Sequence, residues 1–299
     1  MMPSRWMLHI STFCASLIIT ACAVTTPPAA PPAAPLTSEP PSATTQTVQK
    51  VVALTPLTAD LVARLDASKL VGIPGSKLIS GDPRFQNRTI VSAERTPPNL
   101  EKIVALKPNL VIGAAGFHDQ TLAKLEQLGI DTLTTEVNRW EALAELTQTL
   151  ARSLDADPKP LLDRYQTCLT NLPPSPRSTL VLVSRQPILS PNKASWAGDL
   201  LTQFKVKNLA AELQGESPMR GYVTLSPEKI LQANPEVIIL VDTSSDILAQ
   251  FKTDTFWKQL QAVKNDRVYV FDYYGLVNPG SIEQIDQACT RLKQALAPD

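Results

Sequence analysis

The sequence predicts an α/β protein built as two parallel-sheet lobes joined by a helical connector. Three observations lead to that class. From residue 50 onward, short aliphatic runs alternate with stretches of helical spacing, the pattern of a parallel sheet covered by helices. One phrase occurs twice, as "NLEKIVALKPNLVI" at 99–112 and "SPEKILQANPEVII" at 226–239, so both halves contain the same local unit. Between them, residues 139–171 contain no strand-like run.

In the first half, "KVVAL" (50–54) reads as a short buried strand, and Thr55-Pro56 turns the chain. "LTADLVARLDA" then sets Leu57, Leu61, Val62 and Leu65 at helical spacing. Further strands are expected at "KLVGI" (69–73), "TIVS" (89–92), "NLVIG" (109–113) and "DTLTTEV" (131–137), with helices at 99–106 and 118–128. In 139–171, Trp140, Leu143, Ala144, Leu146 and Leu150 continue one apolar stripe. Pro158 and Pro160 lack the N–H that a helix interior needs, so one long helix is expected to break near Asp155-Ala156-Asp157. After "PPSP" (173–176), strands are expected at 179–184, 235–241 and 267–272, and helices at 196–205, 226–232, 254–260 and 281–296.

The repeated phrase has a physical reading. Asn99 and Ser226 are favoured N-cap residues, and Pro227 sits at a first helical position, where its missing N–H costs nothing. Glu101 and Glu228 fall in the first turn beside the positive helix end, an arrangement worth about 0.3–1 kcal/mol. The helices must stop before Pro108 and Pro235, and buried strands follow. The dipole explains a Glu at either place, but not why both halves have one.

The first 47 residues are of another kind. Arg5 gives a weakly basic start, and Trp6 to Thr20 is an apolar run shorter than the ~20 residues of a membrane span. "Ile19-Thr20-Ala21-Cys22" resembles a bacterial lipobox, which makes Cys22 the expected lipidation site; an ordinary secretory signal is the other reading. Residues 23–47 are rich in Pro, Ala and Thr and nearly uncharged, so they cannot form a packed core and read as a tether. The expected plan is therefore a signal peptide (1–21), a tether (22–48), an N-terminal lobe (49–138), a connector (139–172) and a C-terminal lobe (173–299). Such a protein would sit in the periplasm or at the cell surface, anchored to a membrane.

The 28 basic and 28 acidic residues cancel, so no positive field points to nucleic acid. Of the four cysteines, Cys14 lies in the apolar run and Cys22 at the lipobox. Cys168 and Cys289 remain in the body, either paired in an oxidising compartment or buried as free thiols. Catalysis has little support. "GIPGSK" (72–77) lacks the spacing and ending of a phosphate loop. "SPNK" (190–193) and "SPEK" (226–229) match a Ser-x-x-Lys nucleophile motif without its companion elements, and Ser226 is explained as a cap. His118 is the one His of the body, whereas zinc or manganese sites gather several, so no metal site and no cofactor are expected.

Residues 50–298 resemble the substrate-binding proteins of ABC importers for iron–siderophores, haem and cobalamin. The matching phrases are "VVALTPLTADLVARL", "NLEKIVALKPNLVIG", "LEQLGI" (125–130), "LSPEKILQANPEVIIL" and "VKNDRVYVFD" (263–272), in the family's order. The resemblance implies two Rossmann-like lobes joined by a long helix, a class III periplasmic binding protein fold, with the ligand between the lobes at the carboxyl ends of the strands. It also implies a monomer that meets an ABC permease dimer with its ATPase. In the family a surface Glu on each lobe docks against permease arginines, and the matching positions here are Glu101 and Glu228.

Under this placement the cleft candidates are Thr55, Lys77, Arg95, Phe117, Arg185, Trp196, Arg220, Tyr222 and Tyr273. Core packing is the stronger reading for Trp196, since "SWAGDLL" opens an amphipathic helix. Arg185 and Arg220 would suit an anionic, oxygen-rich ligand such as a ferric siderophore; otherwise they are solvated loop charges. Cobalamin binders of the family have an aromatic where this chain has Ala114, which weakens the cobalamin alternative. Haem is a further alternative, and a structural or sensory lipoprotein without transport is the reading from another class.

Overall fold

A computed structural model describes residues 48–93, 96–172, 177–211, 213, 217, 220–243 and 246–298. The expected signal peptide, Cys22, the tether and Arg95 lie outside the described residues. The chain divides between Thr45 and Gln46, and every described residue belongs to the second unit.

In the first lobe β1 (Val51–Ala53) leads through α1 (Pro56–Asp66) to β2 (Leu70–Pro74) and β3 (Thr89–Ser92). The short helix α2 (Leu100–Ala105) precedes β4 (Leu110–Ala114), and α3 (Asp119–Gln127) precedes β5 (Asp131–Thr135). The five strands pair in parallel in the order β3-β2-β1-β4-β5, with Val51 beside both Leu70 and Leu110. The strand order reverses between β1 and β4, so the loops after these strands open a crevice at the switch point.

The connector is α4 (Trp140–Leu154) followed by α5 (Lys159–Cys168). The break falls at Asp155, whose left-handed conformation (φ 53°, ψ 48°) ends α4. This is the expected interruption, and Pro160 enters α5 in its first turn, where a missing N–H does no harm.

The second lobe starts with β6 (Ser178–Leu182), then β7 (Ser184–Arg185) and β8 (Ile188–Pro191). Next come α6 (Trp196–Gln203), β9 (Lys207–Asn208), β10 (Tyr222–Leu225), α7 (Pro227–Ala233) and β11 (Val237–Asp242). The chain ends with α8 (Ile247–Lys252), α9 (Gln261–Lys264), β12 (Val268–Asp272), the short kinked turn α10 (Tyr273–Leu276) and α11 (Ile282–Ala295). One sheet is parallel, in the order β12-β11-β6-β9; the other is a small antiparallel sheet, β10-β8-β7. The sequence does not predict this antiparallel sheet, because strands of two to four residues are too short to show a period. The helix expected at 254–260 is a single 3₁₀ turn, Trp257–Gln259, and α8 lies just before it.

Three apolar clusters order the whole. One lies in the first lobe around Val52, Val91, Ile103, Val111 and Leu125. Another lies in the second around Leu182, Ile238, Phe251 and Trp257. The third is continuous across both lobes, from Val51, Leu61 and Ile112 through Leu143 and Leu150 of the connector to Leu200, Ile239 and Ile285. Cys168 and Cys289 are joined in a disulfide with Cα atoms 5.6 Å apart, which fastens α11 to the connector.

Candidate ligand cleft and docking faces

Parallel strands point their carboxyl ends the same way, so the loops after β1, β2, β4 and β5 gather along one edge of the first lobe. Thr55 follows β1 and caps α1: its Oγ1 accepts from the Thr58 amide at 3.2 Å and lies 2.8 Å from the Thr58 Oγ1. Lys77 is exposed on the loop after β2. The loop after β4 projects Phe117, which at 87% exposed is the barest large apolar side chain among the described residues.

On the second lobe the corresponding residues divide into two groups. Arg185 grips Asp254 with both arms of its guanidinium, Nε to Oδ2 at 3.0 Å and Nη2 to Oδ1 at 2.7 Å. This holds the Asp254 carboxyl below its usual range and fills the fork that a ligand anion would use. Trp196 is 3% exposed, stacks on Trp140 at 5.8 Å and donates its indole N–H to the Gly275 carbonyl at 2.9 Å. It joins the connector to the second lobe, as its place in an amphipathic helix suggests.

Arg220 is different. Its side chain is 85% exposed, and its Nη1 lies 3.5 Å from Oε1 of Glu136, which follows β5 on the other lobe. This ion pair crosses from lobe to lobe at the strand ends. Glu136 was not among the sequence candidates, although its place at the end of "DTLTTEV" marks it by the same strand-end rule that selected the others. Tyr222 is 8% exposed at the start of β10, and burial pushes its hydroxyl pKa up, with a further rise from neighbouring Tyr273. Tyr273 is half-buried and likewise raised by burial, against a hydrogen bond with Asn278; it meets Tyr274 edge to face at 5.2 Å. Tyr273 and Tyr274 form an aromatic pair, of which Tyr274 is the exposed part, at 38%.

The strand-end loop after β4 also holds His118. Its Nδ1 accepts the Ala114 amide at 3.0 Å, and burial lowers its pKa, against a smaller opposite effect of Asp119. Among the described residues no group of His, Cys, Asp and Glu side chains is arranged to hold a metal ion.

The two glutamates of the repeated phrase occupy equivalent places. The Asn99 side chain accepts from the Lys102 amide at 2.9 Å, and the Ser226 hydroxyl from the Lys229 amide at 3.3 Å. Each cap leaves its Glu exposed in the first turn, Glu101 on α2 and Glu228 on α7. Hydrogen bonds from Ser226 and from its own backbone hold the Glu228 carboxyl below its usual range. Each helix runs toward the start of a core strand, so its first turn lies toward the strand-end side of its lobe, where the cleft opens.

No helix among the described residues is long and apolar enough to cross a membrane. The family model described as "Periplasmic binding protein" matches residues 51–274. A Vitamin B12-binding protein of Vibrio cholerae is 28% identical over 209 residues, 66% of this chain and 72% of that protein. Two Bacillus subtilis proteins are also similar. The uncharacterized ABC transporter substrate-binding lipoprotein YvrC is 25% identical over 67% of this chain and 66% of its own length. The Fe(3+)-citrate-binding protein YfmC is 26% identical over 60% of this chain and 58% of its own length. The crystal structure of a possible iron-binding (periplasmic solute-binding) protein from Staphylococcus epidermidis shares the fold, with a TM-score of 0.70 at 18% identity over 85% of this chain and 100% of that one. Two parallel-sheet lobes, a connector continuous with both and a family model covering both lobes agree: this chain belongs to the periplasmic binding protein family, as a substrate-binding protein of ABC importers and not an enzyme.

Proposed function

We propose that this protein captures a ferric siderophore between the strand ends of its two lobes and delivers it to an ABC permease dimer, working from a membrane to which Cys22 anchors it. The observation behind this reading is Arg220, 85% exposed at the cleft, with Glu136 of the opposite lobe as its partner at 3.5 Å. An exposed pair of this kind is worth about 0–1 kcal/mol, so a chelate carboxylate or hydroxamate oxygen replaces Glu136 at little cost. Exposed Lys77 adds positive charge on the other lobe, and the Tyr273–Tyr274 pair offers a face to a bulky chelate. The similarity to an Fe(3+)-citrate-binding protein supports the same ligand class.

Cobalamin is the second reading, and Phe117 is the observation that favours it. Ala114 takes the place of the aromatic found in cobalamin binders of the family, but the same loop exposes Phe117 three residues later. The similarity to a Vitamin B12-binding protein points the same way.

Titration of tryptophan fluorescence decides between them, since Trp140 at the start of the connector stacks on Trp196 of the second lobe. Saturable quenching by ferrioxamine B or ferric citrate, weakened by Arg220→Ala, is expected. Saturation by cyanocobalamin alone would replace the first reading with the second. Absence of binding to these and to haem would favour a structural or sensory lipoprotein.

A further inference from the structure

The loop from Ala114 to Asp119 is held more closely than a surface loop needs to be. The Phe117 and His118 amides both donate to the Ala114 carbonyl, at 3.2 and 3.0 Å, and the Ala115 amide donates to Thr135 on the adjacent strand at 2.9 Å. Gly116 takes φ +76°, and its amide donates to the Asp119 carboxylate at 3.0 Å. The His118 ring completes the turn by accepting the Ala114 amide on Nδ1 at 3.0 Å. A Cβ on Gly113 would come within 2.8 Å of the His118 Cβ, so the close approach of this side chain to β4 needs a glycine there. Phe117, between these tied residues, is 87% exposed.

An imidazole nitrogen that accepts an N–H bears no proton, so in the neutral ring the proton is on Nε2. Protonation puts an N–H on Nδ1, facing the Ala114 N–H. Two donors then point at each other and the hydrogen bond is lost. The same geometry argues against His118 as a metal ligand, because its acceptor nitrogen is occupied and the other bears the proton. Burial favours the neutral ring. Asp119 of its own helix acts the other way and favours the charged form.

We propose that His118 is the positioning residue of the ligand-presenting loop: its Nδ1 pins the turn so that Phe117 stands out into the cleft, and protonation of the ring releases the turn and weakens capture. The proposal rests on the cleft being the ligand site, and takes that reading further by giving it an acid-sensitive element. Phe117 touches the ligand, and His118 acts through it.

Two measurements test this, and the first needs no ligand. In ¹⁵N-labelled protein, the ring nitrogen shifts are expected to show the Nε2–H form at neutral pH. On acidification the Ala114 amide shift should follow the ring titration, with its hydrogen exchange about tenfold faster or more once the ring is charged. A ring that titrates while the Ala114 amide stays unmoved, or a neutral ring protonated on Nδ1, would overturn the proposal.

The second measurement follows binding of ferrioxamine B and cyanocobalamin between about pH 5 and pH 7.5, the range in which a histidine titrates. His118→Ala should weaken binding about tenfold at neutral pH, the loss of one hydrogen bond's net worth, and differ little from wild type at the acid end, where the ring is already charged. His118→Asn places Oδ1 where Nδ1 was, and should restore much of the affinity while removing the pH dependence. A His118→Asn variant as acid-sensitive as wild type would refute the proposal. If neither probe binds wild type, the ligand assignment fails, and the ligand-free titration still decides the role of His118.

Discussion

Asp60 lies in the middle of α1, 1% exposed, and meets three partners at once. Its carboxylate accepts from the Arg64 Nε at 3.0 Å and the Ile282 amide at 2.8 Å, and lies 2.8 Å from the Arg84 Nη1. The second contact ties the first turn of α11 to the first lobe, 222 positions away in sequence. Asp60→Ala removes the carboxylate partner of Arg64 and orphans the Ile282 amide, while Arg84 keeps Asp82, and is expected to cost about 1–3 kcal/mol in urea unfolding. A cost under about 1 kcal/mol would mean the neighbouring arginines find other partners. Asp82 and Asp254 are depressed below their ordinary 3.8 by Arg84 and Arg185. Their contribution to stability is therefore complete above that value and lost as pH falls through the lower folded values. Arg185→Gln is expected to move the Asp254 titration up toward its ordinary value, as read by carboxyl ¹³C shifts. An unmoved titration would show that the bidentate pair does not persist in solution.

At the scale of elements, α4 and α11 hold the molecule together. The Trp140 amide, at the start of α4, donates to the Asp199 carboxylate of α6 at 2.7 Å, which binds the connector's first turn to the second lobe. Thr147 of α4 meets the Tyr165 hydroxyl of α5 at 2.9 Å, inside the apolar contact between the two connector helices. The 168–289 disulfide and the ion pairs of Arg164 with Glu283 and Asp286 then lock α5 against α11. Crosslinking two cysteines 121 positions apart restricts the unfolded chain strongly, and its loss is expected to cost about 2–4 kcal/mol. Thermal unfolding of the Cys168→Ser/Cys289→Ser double variant, beside wild type with and without reductant, measures it. Identical midpoints for all three would show that the bridge adds nothing.

For the whole molecule, the decisive feature is the apolar cluster that runs without a break from the first sheet through the connector into the second lobe. Wide opening of the cleft would expose that cluster to water at about 25 cal/mol per Å² of apolar surface. Ligand capture is therefore expected to proceed by a small adjustment of the loops, with a radius of gyration in small-angle X-ray scattering that ligand leaves nearly unchanged. Contraction as large as that of a hinged two-domain clamp would contradict this. The paired faces belong to the same scale. Replacing Glu101 and Glu228 together by Ala is expected to abolish importer-dependent uptake while leaving ligand affinity within about twofold of wild type. Loss of affinity would assign both residues to the cleft or the fold.

The sequence by itself determined the order of strands and helices in the first lobe, the break in the connector at Asp155 and the equivalent helix positions of Glu101 and Glu228. Each of these is written in local terms: aliphatic runs, caps and prolines act over a few residues and can be read in place. Strand ends likewise pointed to Thr55, Lys77 and Phe117. Only the tertiary structure decided that Arg185 is taken by Asp254, that Trp196 is packed on Trp140, and that Arg220 reaches Glu136 across the lobes. It also decided that Cys168 meets Cys289, and that His118 faces the backbone and not solvent. The partners of Arg185, Trp196, Arg220 and Cys168 lie 56 to 121 positions away along the chain. Such pairings depend on how two sheets and a connector pack. No local pattern encodes which side chain a charge, a ring or a thiol will meet once the core has closed around it.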